Sequence, residues 1–264
     1  MNVHDFKRMK MEKRKISMVT CYDAWSAKII ESSEADCVLV GDSVSMVVHG
    51  YPSTVHATTA MMVAHTQAVA RGFGSKPKFL VGDMPFLSYR RGTREALDCV
   101  DQLMKAGASS VKLEGIWGHE EVVHQIVGSG VPVMGHIGLT PQSIHGLGGF
   151  KVQGRDEGTA RDLVKQALRL QELGCFALVL ECVPTNLAQE ITQGLDIPTI
   201  GIGAGPVTDG QVLVLQDLLG MSPDFKPKFL KQYMDGHGAL LGALNLFHKE
   251  VAEGRFPSSE QSYQ

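Results

Sequence analysis

The sequence lacks the features of a membrane or secreted protein. No apolar stretch approaches the roughly 18 residues of a transmembrane helix, and residues 1–15 are polar, without the apolar core of a secretory signal. The basic residues in this stretch are also compatible with an import presequence, but a solvated lead-in to the first strand is the simpler interpretation. The five cysteines are odd in number and form no C-x-x-C pair, which indicates reduced thiols and favours a cytoplasmic protein.

The sequence also lacks a large excess of charge of one sign. The formal net charge is only −3, so the composition gives no reason to expect nucleic acid or an anionic membrane as a partner. An apolar content of 44% and a charged content of 20% are ordinary for a globular protein. The composition therefore fits an intracellular enzyme.

Several common catalytic and nucleotide-binding motifs are missing. The turn Gly201-Ile-Gly203-Ala-Gly205-Pro206 has proline where the dinucleotide fingerprint needs its last glycine. There is neither a phosphate-binding G-x-x-x-x-G-K-[ST] loop nor a G-x-S-x-G elbow. His119 and His124 are five residues apart, about 140° around a helix, which misses the spacing of zinc proteases.

What the sequence does contain is a regular alternation of strand-like and helix-like segments. Amphipathic stretches such as Thr93 to Ala106 and Asp156 to Leu173 separate short apolar runs. The alternation over 264 residues predicts an α/β fold, a (β/α)₈ TIM barrel, in one domain over 1–264. A polar lead-in is expected over 1–15 and a loose tail over 254–264. A doubly wound open sheet is the alternative fold with the same alternation, but it usually has fewer strands. The predicted strands are 16–21, 37–42, 78–83, 109–114, 131–136, 175–181, 197–202 and 211–216.

Four of the apolar runs end in a carboxylate, at Asp42, Asp83, Glu114 and Glu181. Runs of this length fit strands buried on both faces. If the strands are parallel, all four acids arrive at the carboxyl-terminal end of one barrel, where active sites gather. Crowded like charges repel and need a cation or a proton to hold them together. The pattern therefore predicts a divalent metal site and proton chemistry.

The first three acids are the candidate metal ligands. Asp42 and Asp83 each follow the sequence Val-Gly, and their carboxylates are donors that Mg²⁺ prefers. One such Asp would more often cap the next helix, but two in matching contexts favour the metal. Glu114 is a third candidate, as a ligand or through a metal-bound water. A salt bridge from Glu114 to a neighbouring lysine is the alternative.

Three further residues are candidates for substrate binding and proton transfer. Lys112 lies two residues before Glu114 on a strand, so both point into the barrel, where Lys112 needs an anionic partner. That partner is either Glu114 or a substrate carboxylate, and the nearby acids disfavour a Schiff-base role. Glu181 ends an apolar strand, where desolvation favours a general base, although a helix cap is the alternative. His136 is a possible substrate contact or a structural histidine.

Longer segments, too specific for chance, carry a resemblance to a known family. Over residues 16 to 256 the chain closely resembles the ketopantoate hydroxymethyltransferase family. The segments that carry the resemblance are Val40-Gly-Asp-Ser43, Asp83-Met-Pro-Phe86, Val111-Lys-Leu-Glu-Gly115, Gly135-His-Ile-Gly-Leu-Thr-Pro-Gln-Ser143, Gly148-Gly-Phe-Lys-Val-Gln-Gly154, Glu181-Cys-Val-Pro184, Ile200-Gly-Ile-Gly-Ala-Gly205, Asp209-Gly-Gln-Val-Leu-Val214 and Pro227-Lys-Phe229.

The resemblance implies a barrel related to the phosphoenolpyruvate and pyruvate enzymes. It implies one Mg²⁺ per subunit, held by Asp42 and Asp83 with Glu114 close to it. The residues matching Asp42, Ser43, Asp83 and Lys112 bind the 2-oxo acid in this family. Ser43 is a site residue that the resemblance adds to those indicated by the strand ends.

The resemblance also implies the reaction and the assembly. Glu181 matches the family's general base, and 5,10-methylenetetrahydrofolate is the co-substrate that converts 3-methyl-2-oxobutanoate to 2-dehydropantoate, the first committed step of pantothenate biosynthesis. The family forms homo-oligomers, typically decamers, so a decamer in the cytoplasm is expected. Neither nucleic acid nor a membrane is expected as a partner.

The chain departs from the usual family pattern at positions away from the metal and base residues. Ser45, Ala64, Ile116 and His145 stand where glycine, tyrosine, glycine and asparagine are common. Two alternatives to the transferase remain. One is a Mg²⁺-dependent aldolase or lyase that uses no folate, which folate-dependent turnover would separate. The other is a catalytically inactive metabolite-binding protein, against which the intact acids and Lys112 argue.

Overall fold

The computed structural model describes residues 1–264 and contains a closed barrel of eight parallel strands. Each strand pairs with the next along the chain, and the last pairs with the first, which confirms the predicted (β/α)₈ fold. The strands are β1 (Ile16–Thr20), β2 (Cys37–Val40), β3 (Phe79–Asp83), β4 (Ser110–Glu114), β5 (Val133–Gly138), β6 (Ala177–Glu181), β7 (Thr199–Ile202) and β8 (Gly210–Leu213). The largest difference from prediction is β8, which ends at Leu213 rather than at 216.

Helices follow most of the strands. They are α1 (Val3–Met11), α2 (Ala24–Ser32), α3 (Val44–Val47), α4 (Thr59–Gly72), α5 (Thr93–Lys105), α6 (Glu120–Gly128), α7 (Ile144–Leu147), α8 (Glu157–Glu172), α9 (Thr185–Gly194), α10 (Leu215–Leu218) and α11 (Gly236–Ala252). Short 3₁₀ helices cover Thr54–His56, Pro141–Ser143 and Ser259–Gln261. In agreement with the predicted boundary, Asp156 caps α8 by accepting a hydrogen bond from the Thr159 amide. Helix α5 begins at Thr93, where the predicted amphipathic stretch also begins, and Gly92 is its N-cap residue.

The first 15 residues differ from the predicted polar lead-in. Residues Val3–Met11 form α1, and its Phe6 and Met9 belong to the core cluster at the amino-terminal end of the barrel. Phe6 makes edge-on contacts with Phe79 and Phe176, each with ring centroids 5.1 Å apart. Two apolar residues three positions apart share one helix face, so a mostly polar segment still buries a side. The segment was predicted to be solvated because most of its residues are polar, although Phe6 and Met9 have the spacing of a buried helix face.

The chain divides into two compact units, Met1–Val214 and Leu215–Gln264. The first contains the whole barrel, and the second contains α10 and α11. The prediction of one domain over 1–264 stays a prediction. Residues 254–264 are exposed and contain one turn of 3₁₀ helix, and the looseness of this tail also stays a prediction. No helix in the structure is both long and apolar enough to span a bilayer.

Candidate active site

The carboxyl-terminal ends of β2 to β6 bring the predicted site residues together. Asp83 and Glu114 are the last residues of β3 and β4, and Asp42 follows β2 by two positions. Parallel register places Lys112 beside Asp83 and His136 beside Glu114. All five side chains are buried, although water normally solvates such groups. Their burial requires that they neutralise one another or hold a ligand.

Asp42, Asp83 and Lys112 form the centre of this cluster. The Asp42 amide donates to Asp83 Oδ2 at 3.0 Å, and Lys112 Nζ lies 2.8 Å from Asp83 Oδ1. Burial raises the pKa of Asp83, and the Lys112 ammonium opposes that rise. Burial also raises the pKa of Asp42 well above its usual range, with Asp83 and Glu114 adding to the effect. Burial lowers the pKa of Lys112, but Asp83, Glu114 and Asp42 outweigh it, so the lysine stays charged.

His136 links two of the other acids. Its Nδ1 lies 3.5 Å from Glu114 Oε1, and its Nε2 lies 3.2 Å from Glu181 Oε2. Burial and Lys112 lower the pKa of His136, but the adjacent carboxylates of Glu114 and Glu181 prevail and raise it to about 9. This pKa favours a protonated imidazole between the Glu114 and Glu181 carboxylates, and Nδ1 of the same ring lies 3.3 Å from Lys112 Nζ.

The charge balance of the cluster leaves room for a divalent cation. Two cations, Lys112 and His136, stand against four carboxylates, Asp42, Asp83, Glu114 and Glu181, which is a formal excess of two negative charges. Burial is the main cause of the raised pKa of Asp42, and the neighbouring carboxylates of Asp83 and Glu114 add to it.

Gln142 connects the ends of four strands and was not a site residue in the sequence analysis. Its Nε2 donates to Asp42 Oδ2 at 2.8 Å and to the Met84 carbonyl at 2.9 Å, while its Oε1 accepts from the Tyr89 hydroxyl at 2.8 Å. The backbone amide of Gln142 donates to Glu114 Oε2 at 3.0 Å. Because a carbonyl only accepts, the Met84 contact fixes the orientation of the amide group. Gln142 therefore presents a donor to Asp42 and leaves the other carboxylate oxygen of Asp42 free.

Ser43 directly follows Asp42 and forms a hydrogen bond with Tyr22, which lies two residues after the end of β1. The Tyr22 hydroxyl and Ser43 Oγ are 2.8 Å apart. Gly41 permits this arrangement, because a Cβ at that position would lie 2.9 Å from Ser43 Oγ and 3.5 Å from Asp83 Oδ2. Ser45 is one of the departures from the family pattern, and its Oγ lies 2.9 Å from the Asp42 carbonyl and 3.1 Å from the Ser53 carbonyl, so its single proton is shared between these two acceptors. This departure adds support to the turn that carries Asp42.

Glu181 is more accessible than the other acids. Its side chain is 17% exposed, against 3% for Asp83 and Glu114. Its backbone carbonyl accepts from the Leu139 amide at 2.8 Å. Gly138 has φ +95°, and a Cβ there would lie 2.2 Å from that carbonyl, so glycine is required for the close approach. An ordered backbone with a partly open carboxylate suits a group that must meet a reactant.

Comparison with known proteins identifies the family. The family model described as ketopantoate hydroxymethyltransferase matches residues 1–259. The chain is 55% identical over 259 residues to 3-methyl-2-oxobutanoate hydroxymethyltransferase of Bdellovibrio bacteriovorus, covering 98% of both chains. It is 52% identical over 264 residues to the protein of that name in Legionella pneumophila, covering 100% of both. The chain belongs to the ketopantoate hydroxymethyltransferase family.

Solved structures of similar fold are more distant. Phosphonopyruvate hydrolase, in a complex with oxalate and Mg²⁺, superimposes with a TM-score of 0.63 at 11% identity, covering 100% of this chain and 92% of the other. A 2,3-dimethylmalate lyase of the PEP mutase/isocitrate lyase superfamily gives a TM-score of 0.58 at 13% identity, covering 99% of this chain and 91% of the other. At these identities the likeness supports the barrel fold alone.

Within this member of the family, the metal prediction is only partly reflected in the geometry. No three histidine, cysteine or acidic side chains are placed to bind one ion together. Asp42 and Asp83 are adjacent, but both oxygens of Glu114 face other groups, the Gln142 amide and His136. The roles of Asp42 and Asp83 as ligands, and of Glu114 as a third, stay predictions.

The remaining departures from the family pattern differ in their exposure. Ile116 is completely buried, and Ala64 and His145 are exposed. Gln142 is the residue of the acid cluster that strand-end reasoning missed, because it lies in a short 3₁₀ helix beyond β5. Its place in the long Gly135–Ser143 segment was the available signal.

Proposed function

We propose that this protein transfers a hydroxymethyl group from 5,10-methylenetetrahydrofolate to 3-methyl-2-oxobutanoate, giving 2-dehydropantoate and tetrahydrofolate. The observation that carries the proposal is identity above 50% over the full length to relatives named 3-methyl-2-oxobutanoate hydroxymethyltransferase. The cluster of buried acids around Lys112 and His136 supports it, because enolate chemistry needs both a base and charge stabilisation. The reaction belongs to pantothenate biosynthesis.

The residues present fit one Mg²⁺. Asp42 and Asp83 would hold it, with Glu114 nearby, and the formal excess of two negative charges in the cluster equals the charge of the ion. Magnesium usually takes one or two protein carboxylates and completes its shell with water and substrate oxygens. When bound, the ion supplies Lewis-acid stabilisation of negative charge on the oxygens of the 2-oxo acid.

The chain's own groups perform the binding and the proton transfer. Lys112, cationic and buried, pairs with the negative charge of the 2-oxo acid, and Ser43 offers a hydroxyl group beside Asp42. Glu181 takes the proton from C3 of the substrate, which leaves an enolate. His136 Nε2, 3.2 Å from Glu181 Oε2, orients that carboxylate.

The carbon–carbon bond then forms between C3 and the one-carbon unit of the folate. The methylene carbon leaves the folate nitrogens, one water supplies the hydroxyl oxygen in the overall balance, and tetrahydrofolate departs. Solvent must not reprotonate the enolate before the donor is aligned, so the two substrates have to be held close together.

The assignment of the base is tested without folate. Glu181→Gln keeps the shape of the side chain but removes the proton acceptor. The variant should bind 3-methyl-2-oxobutanoate and Mg²⁺ like the parent, yet lose most exchange of the C3 proton with deuterium in heavy water. NMR follows this exchange directly. Exchange at the parent rate would transfer the role to another group, with Glu114 the first candidate.

A matched pair of variants tests the substrate and metal roles. Asp83→Asn should weaken Mg²⁺ binding in calorimetry, whereas Asp156→Asn, which changes an exposed helix cap, should not. Lys112→Ala should lose most affinity for the 2-oxo acid while retaining Mg²⁺. Turnover that depends on folate would separate the transferase from a lyase on the same barrel.

A homo-oligomer is proposed from the surface of α11. Only Gly236 of this helix is buried, although the helix is rich in leucine, and a helix with apolar residues exposed on most sides is normally covered by another chain. The exposed residues are Leu240, Leu241, Leu244, Leu246, Phe247 and Val251. Leu244→Glu should lower the mass measured by light scattering, and Lys249→Gln on the same helix should not. The decamer and the cytoplasmic location rest on the family resemblance.

A further inference from the structure

The residue directly after Glu181 has an unusual backbone conformation. Cys182 has a φ of +47°, in the left-handed region that residues other than glycine seldom adopt. Among the non-glycine residues of the chain, only Lys13 and Leu87 also have a positive φ. A left-handed residue with a Cβ is strained, and it persists only where the surrounding structure imposes the conformation. Contacts from elsewhere in the chain must therefore hold Cys182 in this state.

The peptide group between Glu181 and Cys182 is held from both neighbouring strands. The Glu181 carbonyl accepts from the Leu139 amide at 2.8 Å, and the Cys182 amide donates to the Ile202 carbonyl at 2.8 Å. Leu139 directly follows β5 and Ile202 ends β7, and these two strands pair with β6 on its two sides. The peptide group therefore cannot rotate without breaking a hydrogen bond to one strand or the other.

The next peptide group, between Cys182 and Val183, is held by a loop. The Cys182 carbonyl accepts from the Gln153 amide at 2.9 Å, and the Val183 side chain is only 3% exposed. Gln153 belongs to the segment Gly148–Gly154, one of those that carry the family resemblance. Because the peptide groups on both sides of the Cys182 Cα are held, their relative rotation fixes φ at a value that the residue would not adopt alone.

This conformation bears on the direction of the Glu181 side chain. Ala177 and Val179 of β6 belong to the core inside the barrel, so Glu181, two residues further along the strand, also faces inward. A change of φ at Cys182 to the negative range would rotate the two held peptide groups against each other and break at least one of their hydrogen bonds. The Glu181 backbone would then lose its support immediately beside the carboxylate that faces His136.

The thiol of Cys182 has no comparable effect on Glu181. Burial raises the pKa of this thiol to about 11, and the Glu181 carboxylate adds to the rise. A thiol with such a pKa is protonated near neutral pH, so it is neither a nucleophile nor a base that competes with Glu181 for a proton. The backbone of Cys182 is therefore the part that can influence the neighbouring carboxylate.

We infer that Cys182 is a positioning residue, whose imposed left-handed conformation directs the Glu181 carboxylate toward C3 of the 2-oxo acid. The inference rests on the proposed function, in which Glu181 takes the C3 proton. It also gives the loop Gly148–Gly154 a part in the reaction, because this loop holds the Cys182 carbonyl. Four of the segments that carry the family resemblance meet at this turn, through Leu139, Gln153, Cys182 and Ile202.

A β-branched substitution at Cys182 tests the inference. Cys182→Val introduces a side chain that is an outlier at a φ of +47°. It should slow exchange of the C3 proton of 3-methyl-2-oxobutanoate in heavy water, without folate, by roughly tenfold or more, because misplacing a reacting group has effects of this size. Calorimetry with Mg²⁺ should show parent affinity for the 2-oxo acid. Cys182→Gly lacks the thiol but adopts this φ freely, and it should restore the exchange rate.

Lys13→Val is the matched control for the backbone cost. Lys13 has a φ of +55° and is exposed in the turn after α1. Its change to valine should lower Tm, as Cys182→Val should, but leave the exchange at the parent rate. The pair therefore separates a loss of stability from a loss of positioning. Cys182→Thr is a second β-branched variant, and it answers the same question if Cys182→Val does not fold.

The outcomes are distinct. Exchange at the parent rate in Cys182→Val, or in Cys182→Thr, would overturn the positioning role and leave the proposed function standing. Exchange in Cys182→Gly as slow as in Cys182→Val would also overturn it, because the side chain rather than the backbone would then be required. A parent protein that neither exchanges the C3 proton nor turns over with folate would overturn the proposed function, and the inference with it.

Discussion

Replacing Gln142 with methionine should destabilise the protein more than any comparable change of a surface glutamine. Methionine has nearly the same length and volume but neither donates nor accepts at the positions of the amide. Gln142→Met therefore removes the bonds to Asp42 Oδ2, to the Met84 carbonyl and from the Tyr89 hydroxyl, without opening a large cavity. All of these groups are buried, so water cannot replace the lost partners.

The magnitude follows from the type of each bond. A neutral hydrogen bond contributes about 1 kcal/mol and one to a charged group about 2 kcal/mol, so the two neutral bonds and one carboxylate bond sum to about 4 kcal/mol. Tyr89→Phe removes the bond to Gln142 and the one accepted from the Glu114 amide, about 2 kcal/mol together. Because the two variants share one bond, the double variant should lose about 5 rather than 6 kcal/mol.

The assay is denaturant unfolding of parent and variants at one fixed protein concentration, since assembly affects apparent stability. Thermal unfolding should show a fall of about 7 °C in Tm for Gln142→Met in a chain of this size. Gln125→Met is the control, because Gln125 is exposed and donates to a neighbouring carboxylate, that of Glu121. It should change the unfolding free energy by no more than about 0.5 kcal/mol.

The same variant has a second readout at Asp42. The Gln142 bond lowers the pKa of Asp42, against the larger effect of burial that raises it. Without that donor, Asp42 should hold its proton more strongly, and Mg²⁺ binding near neutral pH should weaken in calorimetry. A Gln142→Met protein within about 1 kcal/mol of the parent, with unchanged Mg²⁺ affinity, would refute the reasoning.

Two further predictions concern stability. Burial, with Arg90, lowers the pKa of His119 to about 4, so the unfolded chain takes up a proton below about pH 6.5 that the folded protein does not accept until near pH 4. The free energy of unfolding should therefore be highest above pH 6.5 and fall by up to about 3 kcal/mol as the pH drops to 4. In His119→Phe this pH dependence should be weaker. Equal pH slopes for the two proteins would contradict the assignment. Phe6→Ala should lower the free energy of unfolding by about 3–5 kcal/mol, because it removes the aromatic contacts at the amino-terminal end of the barrel. Met11→Ala changes a residue of the same helix that is 68% exposed, and it should alter the unfolding free energy little. Equal effects of the two changes would mean that α1 does not contribute to the core.

Local patterns in the sequence were sufficient for the fold and for most of the site. A short apolar run that ends in an acid specifies a buried strand and the position of a carboxylate at its end, and both are properties of adjacent residues. Asp83, Glu114 and Glu181 do end strands, and Lys112 does point with Glu114 into the barrel. Their meeting at one end follows from parallel topology, which the alternation of strands and helices already implied.

The tertiary structure decided what depends on distant residues. Gln142 meets Asp42 across 100 positions of sequence, through a 3₁₀ helix whose polar residues have no periodic signal. The pKa of His136 is raised to about 9 because two acids from different strands lie on either side of its ring. Helix α1 packs on the barrel because Phe6 contacts Phe79, at the start of β3, and Phe176, directly before β6. A sequence determines which groups a strand end carries, but the state and partners of each group depend on the neighbours that folding places within a few ångströms.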